Sequence, residues 1–189
     1  MSPLRVGAVL LASGAGRRFG GNKLLAEVEG APLINRAMAA LPPGLFGRAV
    51  LVSRYGEILA RGEAQGYLAL LNPDAEEGIS ASVRLGVGAL ADLDGILFAV
   101  CDQPWLARAS VEKLIAAFRA NPGRIAALGW QGRRGNPVVF PQSLFGELSA
   151  LAGDTGGGAV VKRHPDLLTL VEAGSARELA DVDAPGDLA

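Results

Sequence analysis

The chain has 189 residues, of which half are hydrophobic, and its 18 basic side chains nearly balance its 19 acidic ones. This length supports one well-buried core and is short for two ordinary domains, so we predict a single domain over residues 1–189. The near balance of charge gives no net attraction to nucleic acid or to an anionic membrane, and neither is expected as a partner. An anionic ligand would therefore have to bind at a local cationic site.

Cysteine and histidine each occur once in the chain, as Cys101 and His164. A single cysteine cannot form an intramolecular disulfide, and a structural zinc site would need more ligands of these types. The N-terminal residues do not have the pattern of a signal peptide, and no run reaches the roughly 18 apolar residues that span a bilayer. These features predict a cytoplasmic protein.

Short apolar runs alternate with segments of helical spacing along the chain. An apolar run that ends in a glycine-rich turn, such as residues 6–12, is typical of a strand buried on both faces of a parallel sheet. In chain order we predict strands at 6–12, 49–53, 68–71, 96–101, 125–128 and 168–171, and helices at 33–41, 57–65, 80–90, 110–120 and near 142–151. The alternation predicts an α/β fold, a three-layer open and mostly parallel sheet with helices on both faces.

Two details of the helices and loops follow from local chemistry. Ser80 and Ser110 have side chains that cap helices well, so each is predicted to be a helix N-cap. After about residue 129 the pattern is less regular, and the segments GRRGNPVVF and GDTGGG, with the helix near 142–151, predict an excursion of loops before the last strand. Ligands of open sheets bind at the carboxyl ends of the strands, because loops and helix N-termini converge there. The motifs described below follow such predicted strand ends.

The first predicted strand leads into residues 11–23, LASGAGRRFGGNK, which hold four glycines and three cations. Glycines allow backbone N–H groups to approach phosphates, and Arg and Lys supply the opposing charge. A Walker A motif is excluded, because Lys23 is followed by Leu24 instead of Ser or Thr. A dinucleotide-binding motif survives in weakened form, with Arg54 as a possible partner of a 2′-phosphate. A non-catalytic NADP-binding module therefore remains an alternative.

Four motifs together carry a resemblance to a known family. The opening resembles the pattern L-A-[AG]-G-x-[GS]-x-R-[FM]-G-x-x-K-L-L of the MobA-like nucleotidyltransferases, and specifically the molybdenum cofactor cytidylyltransferases (MocA type). Residues 30–33 (GAPL), 101–104 (CDQP) and 181–185 (DVDAP) resemble the family's G-x-P-L, C-D-Q-P and D-[IV]-D-x-P. These motifs run from residue 9 to residue 187, so the resemblance covers nearly the whole chain.

The resemblance implies a Rossmann-like nucleotidyltransferase fold and a Mg²⁺-dependent transfer of CMP from CTP to a phosphorylated acceptor. The expected acceptor is Mo-molybdopterin, the products are molybdopterin cytosine dinucleotide and pyrophosphate, and a molybdenum hydroxylase-family enzyme would be the recipient. Two alternatives stay open within the enzyme class. They are a GTP-using molybdopterin guanylyltransferase and a sugar- or alcohol-phosphate nucleotidyltransferase.

Two carboxylates are candidates for the metal. Asp102 directly follows the predicted strand 96–101, so its side chain should lie at a strand end, and Mg²⁺ is usually held by one or two carboxylates plus substrate phosphates. The resemblance implies that Asp102 and Asp183 together hold the metal. An N-cap of a last helix at Pro185 is an equally good interpretation of Asp183.

The remaining site residues are implied by the resemblance. Arg18, Lys23 and Asp102 would be the catalytic residues, with Arg18 and Lys23 neutralising the β- and γ-phosphates. For Ser80, a role only as a helix cap is the alternative to nucleotide binding. The nucleotide-binding set is Leu11, Ala12, Ser13, Gly14, Gly16, Arg18, Lys23, Gly78, Ser80 and Ser82. The acceptor-binding set is Gly135, Asn136, Pro137, Gly153 and Asp154. The family often carries Arg where this chain has Gly158, which leaves open whether Lys162, Arg163 or another group holds the acceptor's phosphate.

Overall fold

A seven-stranded mixed sheet forms the centre of the computed structural model, which describes residues 4–16 and 19–188. Its strands are β1 (Val6–Leu11), β4 (Arg48–Ser53), β5 (Leu68–Leu71), β6 (Gly95–Val100), β7 (Ile125–Trp130), β8 (Arg133–Pro141) and β9 (Leu168–Glu172), while β2 (Glu27–Val28) and β3 (Ala31–Pro32) form a separate antiparallel pair. The order across the sheet is β5-β4-β1-β6-β8-β7-β9, and β8 alone runs antiparallel to its neighbours. The predicted open, mostly parallel sheet is confirmed.

Helices cover both faces of this sheet. They are α1 (Leu33–Ala40), α2 (Gly56–Ala64), α3 (Ile79–Leu90), α4 (Arg108–Ala120), α5 (Phe145–Ser149) and α6 (Gly158–Arg163). Consecutive strand residues point to opposite faces, so Leu10 packs in the core beneath α1, α2 and α4, whereas Val9 packs beneath α3, α5 and α6. The two apolar clusters give the predicted three layers.

The strand register brings the predicted motifs to one edge of the sheet. Leu11, the last residue of β1, pairs with Val52 of β4 on one side and Val100 of β6 on the other. The segments that follow these three strands therefore emerge side by side. Because β8 is antiparallel, its first residues lie at this same edge.

The predicted helix caps are wrong. Helix α3 begins after Gly78 and α4 after Ala107, so Ser80 and Ser110 lie inside the first turns. Both serines are buried, and their side chains pack against the body of the protein instead of capping backbone N–H groups. The residue that precedes α3 is Gly78, whose φ of 105° and ψ of −174° lie in a backbone region that is open essentially only to glycine.

The segment GRRGNPVVF, predicted to belong to an excursion of loops, is instead a strand from Arg133 onward. It forms a hairpin with β7 through Gln131 and Gly132, which both have positive φ, at 48° and 80°. Such a pair of positive φ values suits a two-residue turn between antiparallel strands. The sequence does not predict this turn, because Gln is not a typical residue at such a position.

Among the described helices, none is both long enough and apolar enough to cross a membrane.

Candidate active site

A cleft of about 490 Å³ opens at the carboxyl ends of β1, β4 and β6. Glycine-rich loop residues form one wall, and the start of α3 with the turn before it forms the opposite wall. Residues lining the cleft are Leu11, Ser13, Gly14, Ala15, Lys23, Leu24, Arg54, Ala75, Glu76, Glu77, Gly78, Ile79, Ser82, Val100, Cys101, Asp102 and Asp154. The cleft thus brings together most residues of the predicted nucleotide and metal sites.

The glycine-rich loop is held against the end of β4. Ser53 Oγ donates to the carbonyl oxygen of Ala12 at 2.7 Å, and Tyr55 Oη donates to that of Gly14 at 3.0 Å. Ser13 and Gly14 line the cleft, whereas Ala12 is buried beneath it. Gly16 supports the loop from within, since a Cβ there would lie 2.3 Å from the carbonyl oxygen of Gly21. Arg18, predicted to be catalytic, lies outside the described residues.

Lys23 connects the two predicted metal ligands. Its Nζ lies 2.8 Å from Asp102 Oδ2 and 3.7 Å from Asp183 Oδ1, and it donates to the carbonyl oxygen of Val182 at 2.8 Å. Asp187 accepts hydrogen bonds from the backbone N–H groups of Asp183 and Ala184, which holds the C-terminal turn in place. The structure therefore brings Lys23, Asp102 and Asp183 together from three distant parts of the chain.

Asp102 is anchored by its surroundings but keeps one oxygen open. Its backbone carbonyl accepts from Val182 N–H at 2.8 Å, while its Oδ1 is buried and has no hydrogen-bond partner among the described residues. Gln103 donates to Asp181 Oδ1 at 2.9 Å, which fixes a third acid nearby. Partial burial, and then the negative charge of Asp102, raise the pKa of Asp181. Three carboxylates thus lie near the ammonium group of Lys23.

The residues present fit a divalent metal. A buried carboxylate oxygen without a partner is costly unless a cation or donor satisfies it, and Asp102 Oδ1 is such an atom beside a second carboxylate, Asp183. No cluster of three or more His, Cys, Asp or Glu side chains suited to a metal occurs within residues 4–16 and 19–188. This donor set suits a cation that takes only one or two protein carboxylates and completes its shell from elsewhere.

The N-terminus of α3 forms the far wall of the cleft. Gly78 packs so closely against the next loop that a Cβ there would lie 2.6 Å from backbone atoms of Gly153 and Asp154. Ile79 N–H donates to Asp154 Oδ1 at 3.4 Å, and Ser80 N–H donates to the Gly153 carbonyl at 3.3 Å. Gly153 and Asp154, predicted to bind the acceptor, therefore lie at the start of α3, with Asp154 in the wall of the nucleotide cleft.

The two serines of α3 differ in position. Ser82 is almost fully buried but reaches the cleft wall, and its Oγ accepts from Asn72 Nδ2 at 2.9 Å. Ser80 is fully buried, accepts from Arg84 at 3.2 Å, and lies outside the cleft lining. Of the two serines predicted to bind nucleotide, only Ser82 faces the cleft.

Two cleft features lie outside the predicted nucleotide set. Arg54, which the dinucleotide alternative assigned to a 2′-phosphate, forms an ion pair with Glu76 at 2.5 Å. Its position directly after β4 is a signal that could have placed it in the site. Cys101 also lines the cleft but is buried, and burial, followed by the charge of Asp102, raises the pKa of its thiol. A thiol held neutral in this way is a poor nucleophile.

A second, smaller pocket of about 170 Å³ adjoins the cleft and shares Leu11, Ile79 and Val100 with it. Its other lining residues are Val83, Phe98, Arg134, Asn136, Val138, Phe140, Gly156, Gly157 and Gly158. Of the predicted acceptor residues, only Asn136 reaches this pocket. Gly135 and Pro137 fall on the opposite face of β8, where Gly135 packs against Leu179. Sequence reasoning missed Arg134 as a site residue. Assigning its side chain to the pocket face of β8 requires knowing that the strand starts at Arg133, because side chains alternate between the two faces.

The chain is similar to proteins of known sequence and structure. It is 31% identical to nicotine blue oxidoreductase of Paenarthrobacter nicotinovorans over 94% of this chain and 92% of that protein. It is 32% identical to the molybdenum cofactor guanylyltransferase of Shewanella loihica over 74% of this chain and 69% of that protein. The crystal structure of Rv0371c from Mycobacterium tuberculosis matches with a TM-score of 0.81 and 26% identity, covering 99% and 96% of the two chains.

A family profile described as the MobA-like NTP transferase domain matches residues 8–167, which is most of the chain. The matched range includes the glycine-rich loop, Lys23, Asp102 and the start of α3, while Asp183 follows it. The family resemblance seen in the sequence motifs is thus supported by an independent match over the same elements. The chain belongs to the family of MobA-like NTP transferase domains.

Proposed function

We propose that this nucleotidyltransferase moves CMP from CTP to a phosphorylated acceptor, with Mo-molybdopterin as the acceptor and pyrophosphate as the second product. The observation that carries the proposal is the contact of Lys23 Nζ with Asp102 at 2.8 Å inside the cleft, beside the unpaired Asp102 Oδ1. A cation and a carboxylate with a free oxygen, at the end of a glycine-rich loop, suit a metal-bound triphosphate.

Mg²⁺ would be held by Asp102 and Asp183, with its remaining ligands coming from the nucleotide. Bound there, Mg²⁺ supplies neutralisation of phosphate charge in the transition state. Lys23 adds a second positive charge near the phosphates, and the backbone at Ser13 and Gly14 supplies N–H donors. The N-terminus of the twelve-residue α3, with Gly78 and Ile79 in the cleft wall, directs the positive end of the helix dipole towards the cleft, while its first N–H groups are already bonded to Asp154 and Gly153.

The proposed chemistry is in-line attack of an acceptor phosphate oxygen on the α-phosphorus of CTP. A new P–O bond forms as the bond to the β-phosphate oxygen breaks, and pyrophosphate leaves with the electron pair. No covalent intermediate with the protein is needed, because positioning and charge neutralisation lower the barrier. Arg18 is proposed to assist Lys23 at the leaving pyrophosphate.

Membership of the family supports the proposed acceptor. Molybdenum cofactor guanylyltransferases are relatives of this chain, which supports a molybdopterin acceptor. The motif resemblance to cytidylyltransferases favours CTP as the donor nucleotide. We accordingly propose a molybdenum hydroxylase-family enzyme as recipient of the product and the cytoplasm as the place of reaction.

The experiment is a pyrophosphate-release screen of the four NTPs with Mg²⁺, against Mo-molybdopterin and simple sugar and alcohol phosphates. If the cleft encloses a pyrimidine, unmatched buried polar groups would penalise a purine by about 1 to 3 kcal/mol each. We expect kcat/KM for CTP to exceed that for GTP by at least about tenfold, which corresponds to roughly 1.4 kcal/mol. Equal use, or a preference for GTP, would overturn the cytidylyl assignment and leave nucleotidyl transfer in place.

A variant tests the metal site in the same assay. Asp102→Asn keeps the shape of the side chain but removes its charge, and we expect kcat/KM to fall by at least about 100-fold, as for the loss of a charge-stabilising group. Asp166→Asn is the control, since Asp166 lies on the exposed turn before β9. Rates in Asp102→Asn equal to those of this control would remove Asp102 from the site.

A second candidate function is suggested by the relative named nicotine blue oxidoreductase. On this alternative the cleft would hold a reduced nicotinamide nucleotide, with Arg54 near its phosphate. Equilibrium binding separates the two functions. Tight NADPH binding without Mg²⁺, NADPH oxidation with an aromatic acceptor, and no binding of Mg²⁺-CTP would favour the oxidoreductase.

A further inference from the structure

The pocket beside the cleft is apolar except at its mouth. Phe98 and Phe140 contact each other edge to face at 6.0 Å between ring centroids. Val138, the register partner of Phe98, lies on the same face of β8 as Phe140 and also lines the pocket. The polar side chains at the mouth are Arg134 and Asn136. A ligand here would therefore bury an apolar or ring-shaped part and present polar groups to these two residues.

The position of Arg134 follows from the geometry of β8. Side chains alternate along a strand, and Arg134, Asn136, Val138 and Phe140 share the face that lines the pocket. Arg133, one residue earlier, belongs to the opposite face. The Arg134 guanidinium has no hydrogen-bond or ion-pair partner within the described parts of the chain, residues 4–16 and 19–188. Its five N–H donors are thus available to a ligand.

Arg134 also explains the glycines opposite it. A Cβ at Gly158 would lie 3.2 Å from a guanidinium nitrogen of Arg134. A Cβ at Gly157 would lie 2.9 Å from the Phe140 ring. Side chains at these positions would enter the pocket or displace Arg134, so the glycines keep the space open.

We propose that Arg134 binds the acceptor's phosphate group at the mouth of this pocket, and that Gly158 is small because the Arg134 guanidinium lies over it. This inference rests on the proposed nucleotidyl transfer. The acceptor is then a phosphate ester whose apolar or ring-shaped part enters the pocket, and Asn136 orients it. Leu11 and Val100 line both cavities, so the pocket with Arg134 adjoins the cleft that contains the proposed metal carboxylate, Asp102.

The test compares acceptor and nucleotide kinetics in the full chain, with Mo-molybdopterin and CTP as substrates. Arg134→Met keeps the length of the side chain but removes its charge, and it removes no contact from the core because Arg134 is exposed. A charge-assisted hydrogen bond has the strength to change KM by about 10- to 100-fold. We expect KM for the acceptor to rise by this factor while KM for CTP changes less than about twofold.

Arg133→Met is the matched control, an exposed arginine of the same strand on the opposite face. We expect its two KM values to equal those of the wild type. The double variant Arg134→Met/Gly158→Arg moves the guanidinium to the opposite wall of the same pocket, and we expect it to recover part of the acceptor affinity. Thermal unfolding of each variant verifies that it is folded.

Four outcomes are decisive. Equal acceptor KM values for Arg134→Met and Arg133→Met would overturn the role of Arg134. An equal rise in both KM values of Arg134→Met would make it a general electrostatic residue and overturn the proposed specificity. A double variant no better than Arg134→Met would overturn the account of Gly158. A wild-type chain that transfers no nucleotide to any acceptor would instead remove the proposed function, which distinguishes the two failures.

Discussion

At the scale of single residues, Lys23 has the most consequential contacts. Its ammonium group contacts both carboxylates that are proposed to hold the metal, at 2.8 and 3.7 Å. Lys23 and Asp102 are less than a quarter exposed, so solvent screens their interaction only in part. A divalent cation and the ammonium group would therefore compete for the negative charge of the same two carboxylates.

This competition predicts the behaviour of Lys23→Met. Without the ammonium group, Asp102 and Asp183 are free for the metal, and we expect Mn²⁺ affinity in the absence of nucleotide to rise by about tenfold, or roughly 1.4 kcal/mol. Affinities for CTP and GTP should fall by similar factors, because Lys23 is assigned to phosphates and not to the base. Electron paramagnetic resonance titration of free Mn²⁺ measures the first effect, and calorimetry the second.

Lys113→Met serves as the control for Lys23→Met, because Lys113 is an exposed residue of α4. Its loss should leave both metal and nucleotide affinity unchanged. An unchanged Mn²⁺ affinity in Lys23→Met would show that the ammonium group does not compete with the metal. A changed ratio of CTP to GTP affinity would contradict the assignment of Lys23 to the phosphates.

At the scale of elements, the start of α3 and the loop of Gly153 and Asp154 form one unit. The helix has no side-chain N-cap of its own; Asp154 and the Gly153 carbonyl accept from its first N–H groups instead. This arrangement depends on Gly78, which combines a positive φ with close backbone packing. The wall of the nucleotide cleft is therefore set by a tertiary contact between α3 and a distant loop.

Two glycine substitutions in this region should have opposite effects on stability. Gly78→Ala forces a side chain into a glycine-only backbone region, which costs on the order of 1 to 3 kcal/mol, and the new Cβ meets backbone at 2.6 Å. Gly88→Ala adds a methyl group to open space on exposed α3 surface. It should stabilise the fold by up to about 1 kcal/mol through helix propensity.

Urea unfolding of both variants measures these changes, and CTP titration reports on the cleft. We expect weaker CTP binding in Gly78→Ala, because the start of α3 must move, and unchanged binding in Gly88→Ala. Equal stability of the two variants would contradict the proposed packing of Gly78 against Gly153 and Asp154.

At the scale of the whole molecule, stability depends on two apolar clusters, one on each face of the sheet. Tyr67, just before the edge strand β5, is buried in the cluster beneath α1, α2 and α4. Its hydroxyl donates to the carbonyl oxygens of Leu41 at 2.6 Å and Met38 at 3.3 Å. Burial, and then the nearby Cys101, raise the pKa of Tyr67 above its ordinary value.

This shift predicts a loss of stability at alkaline pH. Unfolded Tyr67 titrates near its ordinary pKa of about 10, whereas the folded chain keeps the proton to higher pH. The stabilisation is thus fully present below about pH 10 and is lost as pH rises towards the folded pKa, with a slope of up to about 1.4 kcal/mol per pH unit. Tyr67→Phe should lack this slope, although loss of its hydrogen bonds lowers the free energy of unfolding at pH 8 by about 1 kcal/mol.

Urea unfolding between pH 8 and pH 11 tests this prediction. The free energies of unfolding of wild type and Tyr67→Phe should converge as the pH rises above about 10. Tyr55→Phe is the control, since Tyr55 is only partly buried, and its curve should stay parallel to that of the wild type. Parallel curves for all three proteins would contradict the link between the burial of Tyr67 and its pKa.

The sequence by itself determined the fold class and the edge of the sheet at which the candidate site residues lie. Apolar runs of four to seven residues, each followed by a turn or a polar motif, predict buried strands because this pattern is local. The cations and glycines after β1 and the acid after β6 could be assigned to one edge of the sheet, because parallel strands end at the same edge. Lys23 and Asp102 are predicted on this basis, and the structure brings them into contact.

Only the tertiary structure decided which neighbouring side chains face the site. Ser82 reaches the cleft and Ser80 does not, because α3 starts at Ile79 and is rotated by its packing on the sheet. Arg134 and Asn136 face the pocket, whereas Gly135 packs against Leu179. The register of antiparallel β8 in the sheet decides which of its alternating side chains point to the pocket. The hydrogen bond from Lys23 to the Val182 carbonyl joins residues that are 159 positions apart in the sequence. It depends on the tertiary fold of the whole chain, and local sequence carries no signal for such a contact.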